Sequence, residues 1–215
     1  MADKNPFEKI PNLGPQKAGA LFEFARLLRE ANAKVNLLSR RDTDDLEYRH
    51  VAFCAAISAF FTPAEGARIA DVGSGGGLPG IVMAILYPQA EISMFDGVGK
   101  KIAMVNEMCE RLSLKNARGF HARIEEQKGV FDYCTGRSVC ALPAFFGFVK
   151  KKLAAGKRGS LENGVIYFKG GELEDELVKK NILPDARLDL EEFFGDPRFE
   201  GKSIMHFKAR DAARI

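Results

Sequence analysis

The chain has no tryptophan, and its 215 residues include three histidines and four cysteines. No two cysteines form a C-x-x-C pair and the histidines show no ligand spacing, so the sequence does not indicate a metal site. No apolar run approaches the roughly 20 residues of a membrane span, and the first residues lack the apolar stretch of a signal peptide. The net charge of +3 is too small to indicate a nucleic-acid ligand by itself. We therefore expect a cytoplasmic, monomeric protein with reduced cysteines and no metal.

The chain does have enough apolar residues, 46%, to bury a core, and its length suits one domain with a modest extension. Two helical patterns come first, at residues 17–35 and 46–61, and a stretch with proline and glycine then interrupts the periodicity. From Arg68 onward, short strand-like runs alternate with helical ones. The sequence therefore predicts an N-terminal helical extension, residues 1–62, packed on an α/β core formed by residues 63–215.

The alternation of strands and helices predicts the fold class. The predicted strands are at residues 68–72, 91–96, 117–121, 131–135, 164–168, 186–191 and 203–208. The predicted helices between most of them are at residues 78–86, 100–113, 142–154 and 172–180. Right-handed crossovers then give a Rossmann-like, mostly parallel seven-stranded sheet with helices on both faces. No full helix separates the last two strands, so we expect an antiparallel hairpin at the sheet edge, an element order typical of class I methyltransferases.

A glycine-rich turn at residues 71–80, DVGSGGGLPG, follows the first predicted strand and precedes a helix. Gly73, Gly75 and Gly77 permit positive φ angles and let a ligand approach the backbone, although such a turn can also be a plain connection. Asp71, two residues before the first glycine, distinguishes between ligands. It would repel a pyrophosphate, whereas it suits the ammonium and sulfonium groups of S-adenosylmethionine. The sequence therefore favours this cofactor over a nicotinamide dinucleotide.

Two further segments are candidates for cofactor binding. Asp96 ends the second predicted strand, where a carboxylate can accept hydrogen bonds from both ribose hydroxyls. Alone, it is equally well explained as the start of a turn before Gly97. Residues 123–126, RIEE, follow the third strand, where the turn either lies against the adenine or is a helix start with surface acids. The pairing of Asp71 with Asp96 favours a cofactor site.

The turn at residues 71–80 closely resembles that of the bacterial 16S rRNA methyltransferase G family, also called glucose-inhibited division protein B. Further similar segments are NLLS at residues 36–39, RH at 49–50, DGVGKK at 96–101, RIEE at 123–126, FD at 131–132 leading to Arg137, and KG at 169–170. The resemblance covers roughly residues 20–210. It implies a cytoplasmic enzyme that transfers a methyl group from S-adenosylmethionine to N7 of one guanine in 16S rRNA of the small ribosomal subunit.

The resemblance also implies site residues. Those implied by position to line the cofactor site are Gly73, Leu78, Ile124, Glu125 and Arg137, beside the local candidates Asp71, Gly75, Gly77 and Asp96. The predicted catalytic residues are Arg123 and Arg137. The candidate RNA contacts are Arg49, His50, Lys100 and Lys101.

The chain departs from the family pattern at several positions. The residues that differ from the usual ones are Ala31 for Trp, Ala52-Phe53-Cys54 for Leu-Asp-Ser, Gly76 for the Pro of some members, Gly97 for Ser, and Lys202 for Arg. The cofactor turn is otherwise intact. The departures lie mostly in the N-terminal helices and the last strand, so they bear on RNA docking more than on cofactor binding.

Methylation of guanine N7 needs no general base, because the N7 lone pair carries no proton, and the enzyme must align the reactants and exclude water. After the fourth strand, the segment TGRSVC at residues 135–140 replaces the Asn-Pro-Pro-Tyr-like segment typical of amino-group methyltransferases. Arg137 in this segment can hydrogen-bond guanine O6 or a phosphate, or form a surface ion pair. Cys140 could be the thiolate of a pyrimidine C5-methyltransferase, but no proline precedes it, which favours a semi-buried structural thiol.

Basic residues can contact RNA phosphates or be solvated parts of helix faces. Lys100 and Lys101 begin a helix at the carboxyl ends of the strands and are the preferred phosphate contacts. Other basic residues are Lys34, Arg40, Arg41, residues 150–152, Lys157 and Arg158. Two alternatives stay open: a class I methyltransferase that acts on a small molecule or protein, and a non-catalytic RNA-binding relative.

Overall fold

The computed structural model describes residues 5–37, 45–171, 175–179 and 181–214. The strands are β1 (Arg68–Val72), β2 (Glu91–Asp96), β3 (Ala117–His121), β4 (Tyr133–Arg137), β5 (Gly164–Gly170), β6 (Ala186–Asp189) and β7 (Lys202–Lys208). They form one sheet in the order β3-β2-β1-β4-β5-β7-β6. β7 is antiparallel to both of its neighbours, and the other neighbouring strands are parallel. The predicted mostly parallel, seven-stranded sheet is confirmed.

Helices cover both faces of this sheet. They are α1 (Pro15–Lys34), α2 (Phe53–Ala55), α3 (Gly80–Leu86), α4 (Gly99–Arg111), α5 (Leu142–Val149), α6 (Asp175–Lys179), α7 (Leu190–Phe194) and α8 (Ala209–Ala212). One apolar cluster contains the buried side chains of α1, α3, α4 and α7, and a second contains those of α5, α6 and α8. In the described part of the chain, no helix is long and apolar enough to cross a membrane.

β1, β2 and β3 have the predicted bounds, whereas β4 begins and ends two residues later than predicted. The observed strand continues through Gly136 to Arg137. An added Cβ at Gly136 would lie 2.5 Å from Cε2 of Phe145, so glycine here permits close packing of α5 on the strand. α5 is shorter than predicted, because the chain after it turns extended and Leu153 forms a bridge with Phe131.

The N-terminal helices pack on the core. α1 begins with proline, which suits the first helical position, and buries Leu21, Phe24 and Leu28 against α3. The second predicted helix, at residues 46–61, is divided into a π-helical turn (Glu47–Ala52), α2, and a 3-10 turn (Ala56–Ala59). A further 3-10 turn, Pro197–Phe199, packs against the π-helical turn. Of the helix predicted at residues 172–180, residues 172–174 and 180 lie outside the described residues, and α6 occupies the rest.

The side chain of Asn106 occupies the outer edge of the sheet. β3 is the edge strand, and the backbone N–H of Gly119 in its centre donates to Oδ1 of Asn106 at 2.8 Å. Nδ2 of Asn106 in turn donates to the carbonyl of Gly119 at 3.2 Å. Asn106, on α4, therefore satisfies both outward backbone groups of this residue, as a further strand would.

Candidate active site

The glycine-rich turn joins β1 to α3 at the carboxyl edge of the parallel strands. Gly73, Gly75 and Gly77 have φ angles of +70°, +53° and +84°, which residues with a Cβ rarely adopt. An added Cβ at Gly77 would lie 2.5 Å from Cδ1 of Ile81, and one at Gly73 would lie 2.9 Å from both methyl carbons of Val139. The conformation of the turn and its close contacts therefore both depend on glycine.

Asp71, near the end of β1, holds the start of α3. Its Oδ2 accepts a hydrogen bond from the backbone N–H of Gly80 at 2.9 Å, whereas its Oδ1 has no hydrogen-bond partner. The side chain is fully buried, and burial raises the pKa of Asp71 to about 7, an effect that the Gly80 N–H and the charge of Arg137 partly offset. Asp71 lines neither of the cavities described below. Its contact with the charged groups of a cofactor therefore stays a prediction.

Asp96, at the end of β2, combines the two roles that the sequence left open. Its Oδ1 accepts a hydrogen bond from the backbone N–H of Val98 at 2.8 Å, which makes a turn. Its Oδ2 accepts one from the backbone N–H of Gly75 at 2.9 Å and so links the two loops. The side chain also lines both cavities beside the glycine-rich turn. Each carboxylate oxygen has a second lone pair, so Asp96 keeps acceptor capacity for ribose hydroxyls.

Two cavities flank the glycine-rich turn, and Gly73, Asp96 and Val139 line both of them. The smaller cavity has a volume of about 120 Å³ and places the apolar side chains of Ile124 and Phe148 in the same lining as Asp96. This combination suits an adenine next to a ribose. The larger cavity has a volume of about 300 Å³, and its lining contains the polar residues Ser74, Lys101, Arg137 and Ser138. It offers room beside the cofactor site for a polar group.

Arg137 ends β4 at the larger cavity. Its Nη1 lies 2.8 Å from Nδ1 of His50 in the π-helical turn, and its Cζ lies 5.9 Å from the ring centroid of Phe53. Nζ of Lys202, at the start of β7, lies 5.7 Å from the same ring centroid. Nε of Arg137 is buried and has no hydrogen-bond partner in the described part of the chain. The N-terminal helical segment thus contacts both Arg137, which is predicted to be catalytic, and the start of the last strand.

The structure does not bring all the predicted site residues to one place. Arg123 and Arg137, both predicted as catalytic, line different cavities, and exposed Arg123 lies at the smaller one with Glu125. The other predicted residues are distributed as follows: Ile124 lines the smaller cavity, Gly75, Leu78 and Lys101 line the larger one, and Gly77, Arg49, His50 and Lys100 line neither.

Several features were not predicted. Val139, which lines both cavities, and Ser138, with a φ of +54°, follow Arg137 in a loop for which the sequence gives no ligand signal. Leu37, from the segment at residues 36–39, lines the larger cavity, whereas Leu38, Ser39, Arg40 and Arg41 lie outside the described residues. Cys140 is exposed, so the prediction of a semi-buried thiol was wrong, because the loop carries it out to solvent.

The sheet order with an antiparallel seventh strand, the glycine-rich turn after β1 and the acid at the end of β2 define a class I S-adenosylmethionine-dependent methyltransferase. The family described as rRNA small subunit methyltransferase G matches residues 17–189, and the chain belongs to this family. It is therefore an S-adenosylmethionine-dependent rRNA methyltransferase.

Individual relatives agree with this assignment. The chain is 35% identical to the ribosomal RNA small subunit methyltransferase G of Christiangramia forsetii, over 92% of each chain. It is 39% identical to the protein of the same name from Flavobacterium psychrophilum, over 84% of this chain and 85% of that one. Among solved structures, the ribosomal protein L11 methylase of Lactobacillus delbrueckii is 14% identical, with a TM-score of 0.56 over 75% of this chain and 79% of that one, which shows the shared fold.

The described residues contain no group of three or more histidine, cysteine or acidic side chains that could hold a metal ion. S-adenosylmethionine would be held by the backbone of the glycine-rich turn, the carboxylate of Asp96 and the apolar side chains of Ile124 and Phe148. When bound, the cofactor supplies an electrophilic methyl group on a sulfonium.

Proposed function

We propose that this enzyme transfers the methyl group of S-adenosylmethionine to N7 of a guanine in 16S rRNA. The observation that supports it is Arg137 at the larger cavity, where Nη1 contacts His50 and the guanidinium keeps further N–H donors. A guanidinium is a fork of donors that matches guanine O6, next to N7 on the Hoogsteen edge. The other charged residues of this lining are Asp96, whose carboxylate already accepts hydrogen bonds from two backbone N–H groups, and Lys101. N7 needs no base, so orientation by Arg137 and exclusion of water suffice.

The rest of the assignment follows from this substrate. We infer a cytoplasmic enzyme that acts as a monomer on 16S rRNA or on the small ribosomal subunit. Residues 1–62 form a helical extension of the methyltransferase domain, residues 63–215, and contribute Arg49 to the RNA-facing side. Lys100 and Lys101 contact RNA phosphates, and Arg123 orients the adenosine end of the cofactor, where Glu125 also lies.

The test is nucleoside analysis of 16S rRNA from cells that lack the gene and carry either the wild type or Arg137→Ala on a plasmid. We expect one 7-methylguanosine to be absent without the gene, restored by the wild type and not restored by Arg137→Ala. Mass mapping of nuclease fragments locates the nucleotide. Lys157→Ala, an exposed residue that lines neither cavity, is the control that should restore it fully.

Two results would contradict the proposal. If the missing modification is a methyl group on another atom of a base or on a ribose, the target atom is wrong. If rRNA from the deletion strain is unchanged while the purified protein still binds S-adenosylhomocysteine, the substrate is a small molecule or a protein instead.

A further inference from the structure

The contact between His50 and Arg137 fixes the protonation state of the imidazole. Nη1 of Arg137 lies 2.8 Å from Nδ1 of His50. A guanidinium has donors only and keeps its proton, so Nδ1 of His50 must be the acceptor and carries no hydrogen. A neutral imidazole then carries its proton on Nε2. The hydrogen bond therefore requires one charge state and one tautomer of His50.

The same helical segment makes a second contact with Arg137, through Phe53. Phe53 follows His50 by three residues, which places both side chains on one side of the segment. The ring centroid of Phe53 lies 5.9 Å from Cζ of Arg137. The guanidinium is thus held by a hydrogen bond to Nδ1 and by an aromatic ring, and both come from a stretch that includes a π-helical turn. Turns of this kind frequently occur at functional sites.

Arg137 nevertheless keeps donor capacity. Its Nε is buried without a hydrogen-bond partner in the described residues, and the side chain lines the larger cavity. A guanidinium has five N–H donors, and the contact with His50 uses one of them, so the side chain keeps donors for a ligand in the cavity. The contacts from His50 and Phe53 therefore set the direction in which Arg137 meets that ligand.

We propose that His50 is a positioning residue for methyl transfer: its neutral imidazole holds the guanidinium of Arg137 where it orients the acceptor base. The inference rests on the proposed function, since Arg137 orients the guanine there. His50 itself lines neither cavity, so it acts through Arg137 and not by contacting the base. Protonation of His50 replaces the acceptor by a donor and places a second positive charge beside the guanidinium, which breaks the contact.

Other ionisable groups lie around the π-helical turn, and a pH experiment must compare proteins that all contain them. They are Arg29 and Glu47, which form a salt bridge, Arg49 in the turn itself, Arg198 over the ring of Tyr48, Lys202 near Phe53, and Asp71 and Cys54 near Arg137. All of them are unchanged in variants of His50. A difference between the pH profiles of such variants and the wild type therefore comes from the loss of His50, either directly or through a neighbour such as Asp71, whose pKa depends on Arg137.

The experiment compares His50→Ala, His50→Asn and His121→Asn with the wild type. The substrate is the small ribosomal subunit from cells that lack the enzyme, and kcat and KM are measured between pH 5.5 and 8.5. Asn places an oxygen acceptor near the position of Nδ1 and does not titrate. His121, whose Nε2 contacts the carbonyl of Gly97, lines neither cavity and is the matched histidine control.

We expect His50→Ala to lower kcat at least about tenfold, with KM for S-adenosylmethionine changed less than about threefold, because misplacement of an orienting group affects the transition state. His50→Asn should keep most of kcat and lose the decline at acidic pH that the wild type and His121→Asn show. In a double-mutant cycle, His50→Ala should add nothing to Arg137→Ala, because the two act as a unit.

Three results would overturn the proposal: full kcat in His50→Ala at every pH, an unaltered acidic decline in His50→Asn, or additive effects in the cycle. A second measurement needs no RNA. Nitrogen-15 spectra of labelled histidine should show the Nε2-protonated tautomer of His50 in the wild type and a mixture in Arg137→Ala. If the wild type does not methylate the subunit, the proposed function fails, while these spectra still decide whether Arg137 fixes the state of His50.

Discussion

The carboxyl group of Asp71 is held in surroundings that favour its protonated form. It is fully buried, one oxygen accepts from Gly80, and the other has no partner. Burial raises its pKa from 3.8 to about 7, so the folded protein binds a proton that the unfolded chain has released between these two values. The stabilisation from this group is complete below about pH 4 and is lost as the pH rises towards 7.

We therefore expect the wild type and Asp71→Asn to differ in the pH dependence of stability. Asn keeps an oxygen for the Gly80 N–H but does not titrate. Between pH 4 and 7 the free energy of unfolding of the wild type should fall relative to that of Asp71→Asn, by up to about 4 kcal/mol. Urea denaturation of both proteins at several pH values measures this. Parallel curves would show that Asp71 is ionised throughout this range.

At the scale of elements, the glycine-rich turn packs closely against the loop after β4, where Gly73 faces Val139. An added Cβ at Gly73 would meet both methyl carbons of Val139 at 2.9 Å, and φ is +70°. Because both residues line both cavities, Gly73→Ala should push the loop aside and lower the affinity for S-adenosylhomocysteine at least about tenfold, or about 1.4 kcal/mol. Isothermal titration of the folded variant measures it.

Two further variants separate the causes. Gly129 has a φ of +89°, open space around its Cβ position and no place in the lining of either cavity, so Gly129→Ala introduces similar backbone strain and should leave the affinity unchanged. Val139→Ala in the Gly73→Ala background removes the crowded methyl carbons and should restore part of the affinity. If Gly73→Ala binds as the wild type does, the cofactor does not approach this turn.

The elements differ in how far the sequence predicts them. β1 to β3 were predicted to the residue, because each is a short strand-like run that ends in a turn, and Asp96 was located because it ends such a run. β4 was misplaced by two residues at both ends, and its continuation through Gly136 depends on close packing against Phe145, which no local pattern shows. The contact of His50 with Arg137 joins residues 87 positions apart, so the sequence could suggest each residue but not their pairing.

At the scale of the whole molecule, the carboxyl edge of the sheet carries the cavities, and we expect RNA to approach there. We expect Lys100→Ala/Lys101→Ala to weaken binding of 16S rRNA and to flatten the slope of log affinity against log salt by about 1–2 units, with cofactor affinity unchanged. Lys115→Ala/Lys157→Ala removes the same charge from segments that precede β3 and β5, at the opposite edge, and should keep the wild-type slope. Filter binding at several salt concentrations measures both. Equal slopes for the two double variants would place the RNA surface elsewhere.

The hydrogen bonds between Asn106 and Gly119 oppose the association of two copies of the chain through the edge strand β3. The open side of an edge strand is a template onto which another copy can add its own strand, and such growth has no natural end. At Gly119 both template groups are already taken by a side chain of the same molecule. A single amide in the middle of a five-residue strand therefore interrupts the template at this edge of the sheet, where continuous pairing would have to pass.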